Sequence, residues 1–169
     1  MKVLGGGVIE RSDLAGNNGV VHTIGSILIP ADASVDQYIQ ADSRFTFLKR
    51  LIAKVGNPNN LFPSQTPFTL LAPTDAAFTK MSMEEQNKLL GSPDEIRSFL
   101  RKHIFKGAFY SNILSVNLEY GMRNIDGGIV TVKRPSVDII TFNGDTQIVT
   151  KDIMISEGVM HAIDNVLSN

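Results

Sequence analysis

The sequence predicts an α+β fold in which helices fill the first half of the chain and short, mostly antiparallel strands fill the second. Three observations lead to this prediction. Between residues 34 and 104 the apolar residues recur with helical spacing, whereas beyond Gly107 they alternate with a period of two. The dipeptide Asn143-Gly144, flanked by β-favouring residues, is a strong hairpin signal. The 169 residues, 43% of them apolar and 20% charged, suffice for one sizeable core.

Serine residues mark the predicted starts of three helices. Ser34, Ser82 and Ser92 are each followed three residues later by Gln or Glu. This is the pattern of a capping box, in which the two side chains satisfy free N–H groups of the first turn. The first two helices are expected to end near Gln40 and Gly91. The third begins with proline and acidic residues, which suit the positive end of the helix dipole.

A fourth helix and a buried strand complete the first half. Ser43 is the N-cap candidate of a helix that Gly56 ends, and its apolar face consists of Leu48, Leu51, Ile52 and Val55. A loop rich in proline and asparagine follows over residues 57–67. Residues 68–72 then form a short apolar strand pattern, after which Thr74 or Asp75 is predicted to cap a helical turn.

The second half is predicted to form an antiparallel sheet. Residues 122–134 indicate two strands around a glycine-rich turn, and residues 137–142 and 146–150 indicate two more on either side of the Asn143-Gly144 turn. In the last strand, apolar residues alternate with His161 on the same face, since Val159 and Ile163 flank it at a spacing of two.

Two segments of the chain are near-copies of each other. Residues 156–167 repeat residues 17–28, and the spacing between matching residues is 139 throughout, as from Asp13 to Asp152 and from His22 to His161. This spacing has the size of a whole domain. We therefore expect residues 1–30 to be the C-terminal end of a preceding domain together with a linker, and residues 31–169 to be one complete domain.

Two stretches in this order resemble the two signatures of the fasciclin-like domain family. One is residues 69–78, Thr-Leu-Leu-Ala-Pro-Thr-Asp-Ala-Ala-Phe, and the other is residues 152–167, which contain Ser-Glu-Gly-Val-Met-His-Ala-Ile-Asp-Asn-Val-Leu. The resemblance implies a β-wedge or sandwich of short strands with a helical layer. It also implies a tandem, extracellular or cell-surface protein in cell adhesion, with an integrin-type receptor or matrix component as partner.

The resemblance further implies candidate partner-binding residues. In the family, adhesion is associated with an Asp-Ile pair before the second signature, which here corresponds to Asp152 and Ile153. A second family site is a Tyr-His pair; His103 matches its histidine, but Lys102 stands in the tyrosine position. The structural alternatives are that Asp152 caps a bend, that Ile153 fills the core and that His103 completes a helix face.

His161 is interpreted as a structural residue of the second signature. A histidine on an apolar strand face is more often a hydrogen-bonded core residue than a metal ligand or proton carrier. We expect its imidazole to hydrogen-bond to the first signature, with Thr74 or Asp75 as the partner.

Composition and motifs point away from several classes of function. The net charge is −1 without a basic block, which disfavours nucleic acid and anionic membrane surfaces as partners, and no apolar stretch is long enough to span a membrane. There is no cysteine, and the three histidines form neither a catalytic triad pattern nor a zinc-binding pair. We therefore predict no enzyme activity, no catalytic or metal-binding residue and no cofactor.

Three hypotheses for function remain open. The first is a non-enzymatic adhesion module of a secreted or surface protein. The second is an architectural spacer or self-association unit that makes homophilic or interdomain contacts. The third, a small-molecule or glycan site in the loops, has no positive support in the sequence.

Overall fold

A computed structural model describes residues 9–25, 32–56, 61–63 and 66–167. The predicted start of the linker at Pro30 and most of the loop before residue 66 lie outside the described residues, as do residues 1–8 of the expected N-terminal segment.

Five α-helices lie in the first two thirds of the described chain. Their bounds are α1 Val35–Ala41, α2 Thr46–Val55, α3 Asp75–Thr79, α4 Met83–Gly91 and α5 Pro93–Lys102. The capping boxes predicted at Ser34 and Ser82 are confirmed, since each hydroxyl accepts from the N3 backbone and each N3 side chain bonds back to the cap. Ser92 caps α5, but its hydroxyl accepts from Asp94 instead of Glu95, so the third box is incomplete.

The start of α2 differs from the prediction at Ser43. Ser43 begins a short 3₁₀ turn, which Asp42 caps, and α2 itself has no capping side chain next to it in the sequence. Its first N–H groups, those of Thr46 and Phe47, donate instead to the two carboxylate oxygens of Asp75 at 3.1 and 2.7 Å. The cap of α2 thus comes from a residue near the start of α3, which local sequence patterns do not register.

Nine β-strands form two sheets in the described part of the chain. Their bounds are β1 Ile9–Gly16, β2 Gly19–Ile24, β3 Phe68–Pro73, β4 Ile104–Lys106, β5 Glu119–Arg123, β6 Ile129–Lys133, β7 Thr141–Phe142, β8 Thr146–Ile155 and β9 Gly158–Ile163. β1 and β2 form a separate hairpin, and the others form one sheet in the order β4-β3-β9-β8-β7-β6-β5. The α+β prediction is confirmed. The strand expected over residues 137–142 is reduced to its last two residues.

The large sheet is antiparallel except between β3 and β9, which run parallel. Its first and last strands meet, because Phe105 pairs with Asn124 just beyond β5 and the N–H of Ile125 donates to the carbonyl of Ile104 at 2.9 Å. The sheet is therefore curled until its two edges touch.

The curled sheet separates two apolar cores. Along β3, Phe68, Leu70 and Ala72 face the core shared with the helices, whereas Leu71 faces the core inside the curled sheet. Because the central strands are covered on both faces, β9 is buried from Val159 to Ile163. The candidate site lies where β8 and β9 leave regular register.

Candidate interaction site around Asp152

Asp152 lies at a bulge in β8. The register between β8 and β9 shifts twice, between Ile148 and Thr150 and again between Thr150 and Ile153. At the second shift Asp152 adopts a positive φ of 60°, a conformation that aspartate tolerates better than most residues. The bulge turns the backbone N–H of Asp152 out of the strand ladder and toward the side chain of His161.

His161 holds this bulge closed. Its Nδ1 accepts the backbone N–H of Asp152 at 3.0 Å, and its Nε2 lies 2.8 Å from the carbonyl oxygen of Phe109. Because Nδ1 accepts, Nε2 carries the hydrogen and donates to Phe109. The side chain is buried, and this burial lowers the pKa of His161, so the neutral imidazole is the form that the fold holds.

The hydrogen-bond partners predicted for His161 were wrong. Neither Thr74 nor Asp75 bonds to the imidazole in the described structure. The Thr74 hydroxyl donates to the carbonyl of Ile163 at 3.2 Å, and the Asp75 carboxylate caps α2. Residues of the first signature therefore connect β3 to the end of β9, and α3 to α2. His161 instead bonds to the segment that follows β4.

The carboxylate of Asp152 fastens that same segment. One oxygen accepts the backbone N–H of Ser111 at 2.7 Å, and the other accepts the Ser111 hydroxyl in a short hydrogen bond. Phe109 and Ser111 are thus bound from two neighbouring strands, by His161 and Asp152. Burial raises the pKa of the Tyr110 phenol, and the negative charge of Asp152 nearby raises it further.

Ser111, His161 and Asp152 are the residue types of a hydrolytic triad, but their connections differ from one. In a triad the histidine accepts the serine proton and the aspartate orients the histidine. Here the Ser111 hydroxyl donates directly to Asp152, and both ring nitrogens of His161 are bonded to backbone groups. This arrangement leaves the imidazole without a free lone pair to activate Ser111, so the three residues hold the backbone in place. We call the hydrogen bonds of Asp152 and His161 to each other and to Phe109 and Ser111 the clasp.

Arg134 extends the clasp to a second loop. Its Nη1 donates at 2.7 Å to the carbonyls of both Ser111 and Leu114, and Nη2 donates at 2.8 Å to the carbonyl of Val137. The N–H of Asn117 returns a bond to the carbonyl of Arg134 at 2.8 Å. We call the two segments joined in this way, residues 110–118 and 134–139, the loop pair.

The loop pair presents an exposed apolar surface. Five aliphatic side chains on it are between 39% and 63% exposed, namely Ile113, Val116, Leu118, Val137 and Ile139. An open groove of about 320 Å³ borders this surface and is lined by Ile113, Leu114 and Tyr120 among others. These side chains lie on a backbone that hydrogen bonds from Arg134 and Asp152 hold in place.

The other two candidate partner-binding residues lie inside the domain. Ile153 is 8% exposed and belongs to the core shared with the helices, and His103 has no exposed surface. His103 is the C-cap of α5: its Nδ1 lies 2.8 Å from the carbonyl of Phe99, and its Nε2 accepts the N–H of Leu167 at 3.0 Å. Burial lowers the pKa of His103 to about 4. His103 therefore joins the end of α5 to the end of the described chain.

The N-terminal hairpin, β1 and β2, repeats the hydrogen bond between aspartate and histidine that joins β8 to β9. Asp13 has a φ of 58°, and its N–H donates to Nδ1 of His22 at 3.0 Å. The register shifts of the two hairpins also match at the spacing of 139 residues. In this copy the Asp13 side chain is 80% exposed.

No local sequence signal marks Phe109, Ser111 or Arg134 as parts of this site. Phe109 contributes only backbone groups, and Ser111 contributes backbone groups and a hydroxyl. Such groups occur in any loop, so they do not distinguish this one. Arg134 directly precedes Pro135 at the end of β6. A lone arginine at such a position does not indicate which carbonyls it will reach.

No group of three or more potential metal-ligating side chains occurs among the described residues. Over the same residues, no helix has the length and apolar character needed to cross a membrane.

Comparisons with known proteins agree with this architecture. The family model for the fasciclin domain matches residues 43–169. Two relatives are transforming growth factor-beta-induced protein ig-h3 of Oryctolagus cuniculus, 34% identical over 157 residues, and the same protein of Sus scrofa, 32% identical. Human periostin is 27% identical over 160 residues. The alignments cover 93–94% of this chain but only 19–22% of those proteins, so the chain spans about a fifth of their length.

A solved structure shows the same fold. The FAS1 domain pair of the insect cell adhesion molecule fasciclin I matches with a TM-score of 0.65 and 19% sequence identity. The match covers 96% of this chain and 60% of that chain.

Proposed function

Because the chain belongs to the fasciclin domain family, we propose that it is a non-enzymatic adhesion module that binds a protein partner at the cell surface or in the extracellular matrix. The fasciclin I domain pair, which shares its fold, comes from a cell adhesion molecule. The sequence signatures imply the same role, with an integrin-type receptor or a matrix component as partner.

The observation that carries this proposal is the exposed apolar surface of the loop pair. Protein partners bury apolar patches of this kind, and affinity improves when the patch is ordered in advance. Arg134 and Asp152 supply that order through hydrogen bonds to backbone groups. The contact surface thus lies on one end of the curled sheet, with Ile113 and Val137 on its two segments.

In this proposal Asp152 acts on the partner indirectly. Both of its oxygens accept hydrogen bonds from Ser111, so Asp152 sets the position of residues 110–118 from below the surface. Ile153 and His103 are buried and are not part of the proposed surface. Direct contact of Asp152 with a receptor metal ion stays a separate prediction, which requires the carboxylate to exchange Ser111 for the ion.

A solid-phase cell-attachment assay on the immobilised chain tests the proposed surface. Replacing Ile113 and Val137 by serine removes apolar contact area without touching the clasp, and we expect attachment to fall strongly. Ile129→Ser is the matched control, because Ile129 is 65% exposed at the opposite end of β6. Full attachment by the Ile113/Val137 variant would contradict the proposed surface, and no attachment by the unaltered chain would contradict the function.

An architectural spacer is the second candidate, and the separate β1–β2 hairpin favours it. Val20 and Val21 on this hairpin are more than half exposed, which suits a segment that packs against a neighbouring domain. Deleting residues 1–30 and measuring oligomeric state and stability distinguishes the candidates. A spacer or self-association unit requires a change in assembly, whereas the adhesion module keeps its attachment activity without this segment.

A further inference from the structure

The β1–β2 hairpin matches β8–β9 residue for residue. Ile9 pairs with Ile24 as Ile148 pairs with Ile163, and both ladders resume after the bulge at equivalent positions. The two hairpins therefore have the same backbone design, including the bulge and the Asp–His clasp.

Their surroundings differ on one side. In the complete domain, β9 pairs along its outer edge with the parallel strand β3, from Phe68 opposite Gly158 to Pro73 opposite Ile163. Among the described residues β2 pairs only with β1. The edge of β2 that corresponds to the β3-facing edge of β9 consequently has no strand beside it in the described structure.

Apolar side chains are exposed in β2 at positions where they are buried in β9. Val159 and Met160 are fully buried in β9, whereas the equivalent residues of β2, Val20 and Val21, are 60% and 56% exposed. An unpaired edge combined with exposed apolar side chains is a template for strand addition.

Gly19 gives a second indication. Its equivalent, Gly158, lies so close to β3 that a Cβ atom there would be 2.0 Å from the carbonyl oxygen of Phe68. At Gly19 no described heavy atom lies within 4 Å of the same construction, apart from the glycine's own chain neighbours. Gly19 thus leaves space for a neighbouring backbone, and none of the described backbone occupies that space.

We infer that β2 is an acceptor edge for a parallel strand of the β3 type, supplied by a neighbouring fasciclin domain. The donor strand carries apolar side chains on both faces, as β3 does in Phe-Thr-Leu-Leu-Ala-Pro. Its first residue lies against Gly19, and its apolar side chains cover Val20 and Val21. This places residues 9–24 in the sheet of the neighbouring domain, consistent with a preceding repeat, and does not depend on the proposed adhesion function.

The test supplies the strand in trans. A fluorescent peptide with the sequence of residues 66–75, extended by lysines for solubility, is titrated into the full chain and followed by anisotropy. Hydrogen exchange then locates the bound peptide. We expect saturable binding, with new amide protection over Gly19–Ile24 and unchanged protection over Gly158–Ile163.

Gly19→Ala is the decisive variant. A Cβ atom there blocks the approaching backbone, so we expect binding to weaken about tenfold or more. Asn18→Ala is the matched control in the same turn, and replacing Val20 and Val21 by serine is a second variant that leaves the backbone free. A scrambled peptide should not bind.

Four results would overturn the inference: no binding, binding that Gly19→Ala leaves unchanged, protection at β9 in place of β2, or peptide-independent dimerisation that protects Gly19–Ile24. The last result would assign the edge to a second copy of this chain.

Discussion

The backbone N–H of Asp152 donates to Nδ1 of His161 at 3.0 Å across a bulge that takes this N–H out of the β8–β9 ladder. A bulge normally leaves a backbone group unpaired, and an unpaired group inside a protein is costly. Here the imidazole accepts that group and donates to the carbonyl of Phe109. One neutral histidine thus stabilises a strand irregularity and anchors the segment that carries the proposed contact surface.

Replacing His161 by alanine should destabilise the domain strongly. The change leaves the Asp152 N–H and the Phe109 carbonyl without partners and opens a cavity, so we expect a loss of about 2–4 kcal/mol in the free energy of unfolding. Urea unfolding at neutral pH measures it. His22→Ala removes the equivalent clasp from the exposed hairpin and should change the main transition by less than about 0.5 kcal/mol. Equal effects of the two variants would refute the structural role.

Asp152→Ala should loosen the loop pair. Loss of the carboxylate leaves the Ser111 N–H and hydroxyl without acceptors, and we expect a cost of about 1–3 kcal/mol with faster hydrogen exchange over residues 110–118. Asp13→Ala is the matched control, because Asp13 has nearly the same positive φ but an exposed carboxylate. Unchanged exchange in the Asp152 variant would contradict the clasp.

Stability should decrease as the pH falls from about 6.5 to about 4, because burial lowers the pKa of His103 to about 4. In this window the unfolded chain takes up a proton at His103 and the folded chain does not, so acid favours unfolding, by up to about 3 kcal/mol. The lowered pKa of His161 acts in the same direction. Protonation of the Nε2 atom of His103 also ends its bond with Leu167. Urea unfolding at several pH values measures the slope.

His103→Gln is the variant that identifies the titrating group. Glutamine can donate and accept hydrogen bonds but does not titrate, so the variant should have a shallower dependence of stability on pH between 4 and 6.5. The same slope in both proteins would assign the effect to other groups.

Gly158→Ala should prevent stable pairing of β9 with β3. A Cβ atom there would lie 2.0 Å from the carbonyl oxygen of Phe68, and the φ of 151° is unfavourable for any residue with a side chain. We expect a loss of at least about 3 kcal/mol, or failure to fold, seen as loss of the cooperative thermal transition. Gly19→Ala, which meets open space, should leave that transition in place. A folded Gly158 variant of ordinary stability would contradict the described β3–β9 contact.

The sequence allows prediction of those features that depend on neighbouring residues. The capping boxes at Ser34 and Ser82 and the hairpin at Asn143-Gly144 are local, and the structure confirms them. The parallel pairing of β3 and β9 joins strands far apart in the chain, and neither strand's pattern specifies its neighbour. The strand over residues 137–142 is short because Arg134 holds the carbonyls of Ser136 and Val137 in the loop.

The candidate site was predicted only in part, for the same reason. Asp152 and His161 stood out in the sequence because their segment is repeated, but their partners Phe109 and Ser111 lie 41 to 52 residues away. Asp75 was expected to act on its own helix and instead caps α2, 28 to 29 residues earlier. Asp75 and His161 were predicted to be structural and Asp152 to contact a partner, and in each case the hydrogen-bond partner depended on how the chain folds back.

The contact between Phe105 and Asn124 closes the large sheet on itself. Exposed sheet edges are where folded proteins join into aggregates, since an unpaired strand accepts any other extended chain. A domain whose outermost strands meet offers few such sites, and many copies can be packed at high concentration while each remains a separate folded unit. Closure therefore reduces the number of strand edges in the large sheet through which separate copies of the domain could associate.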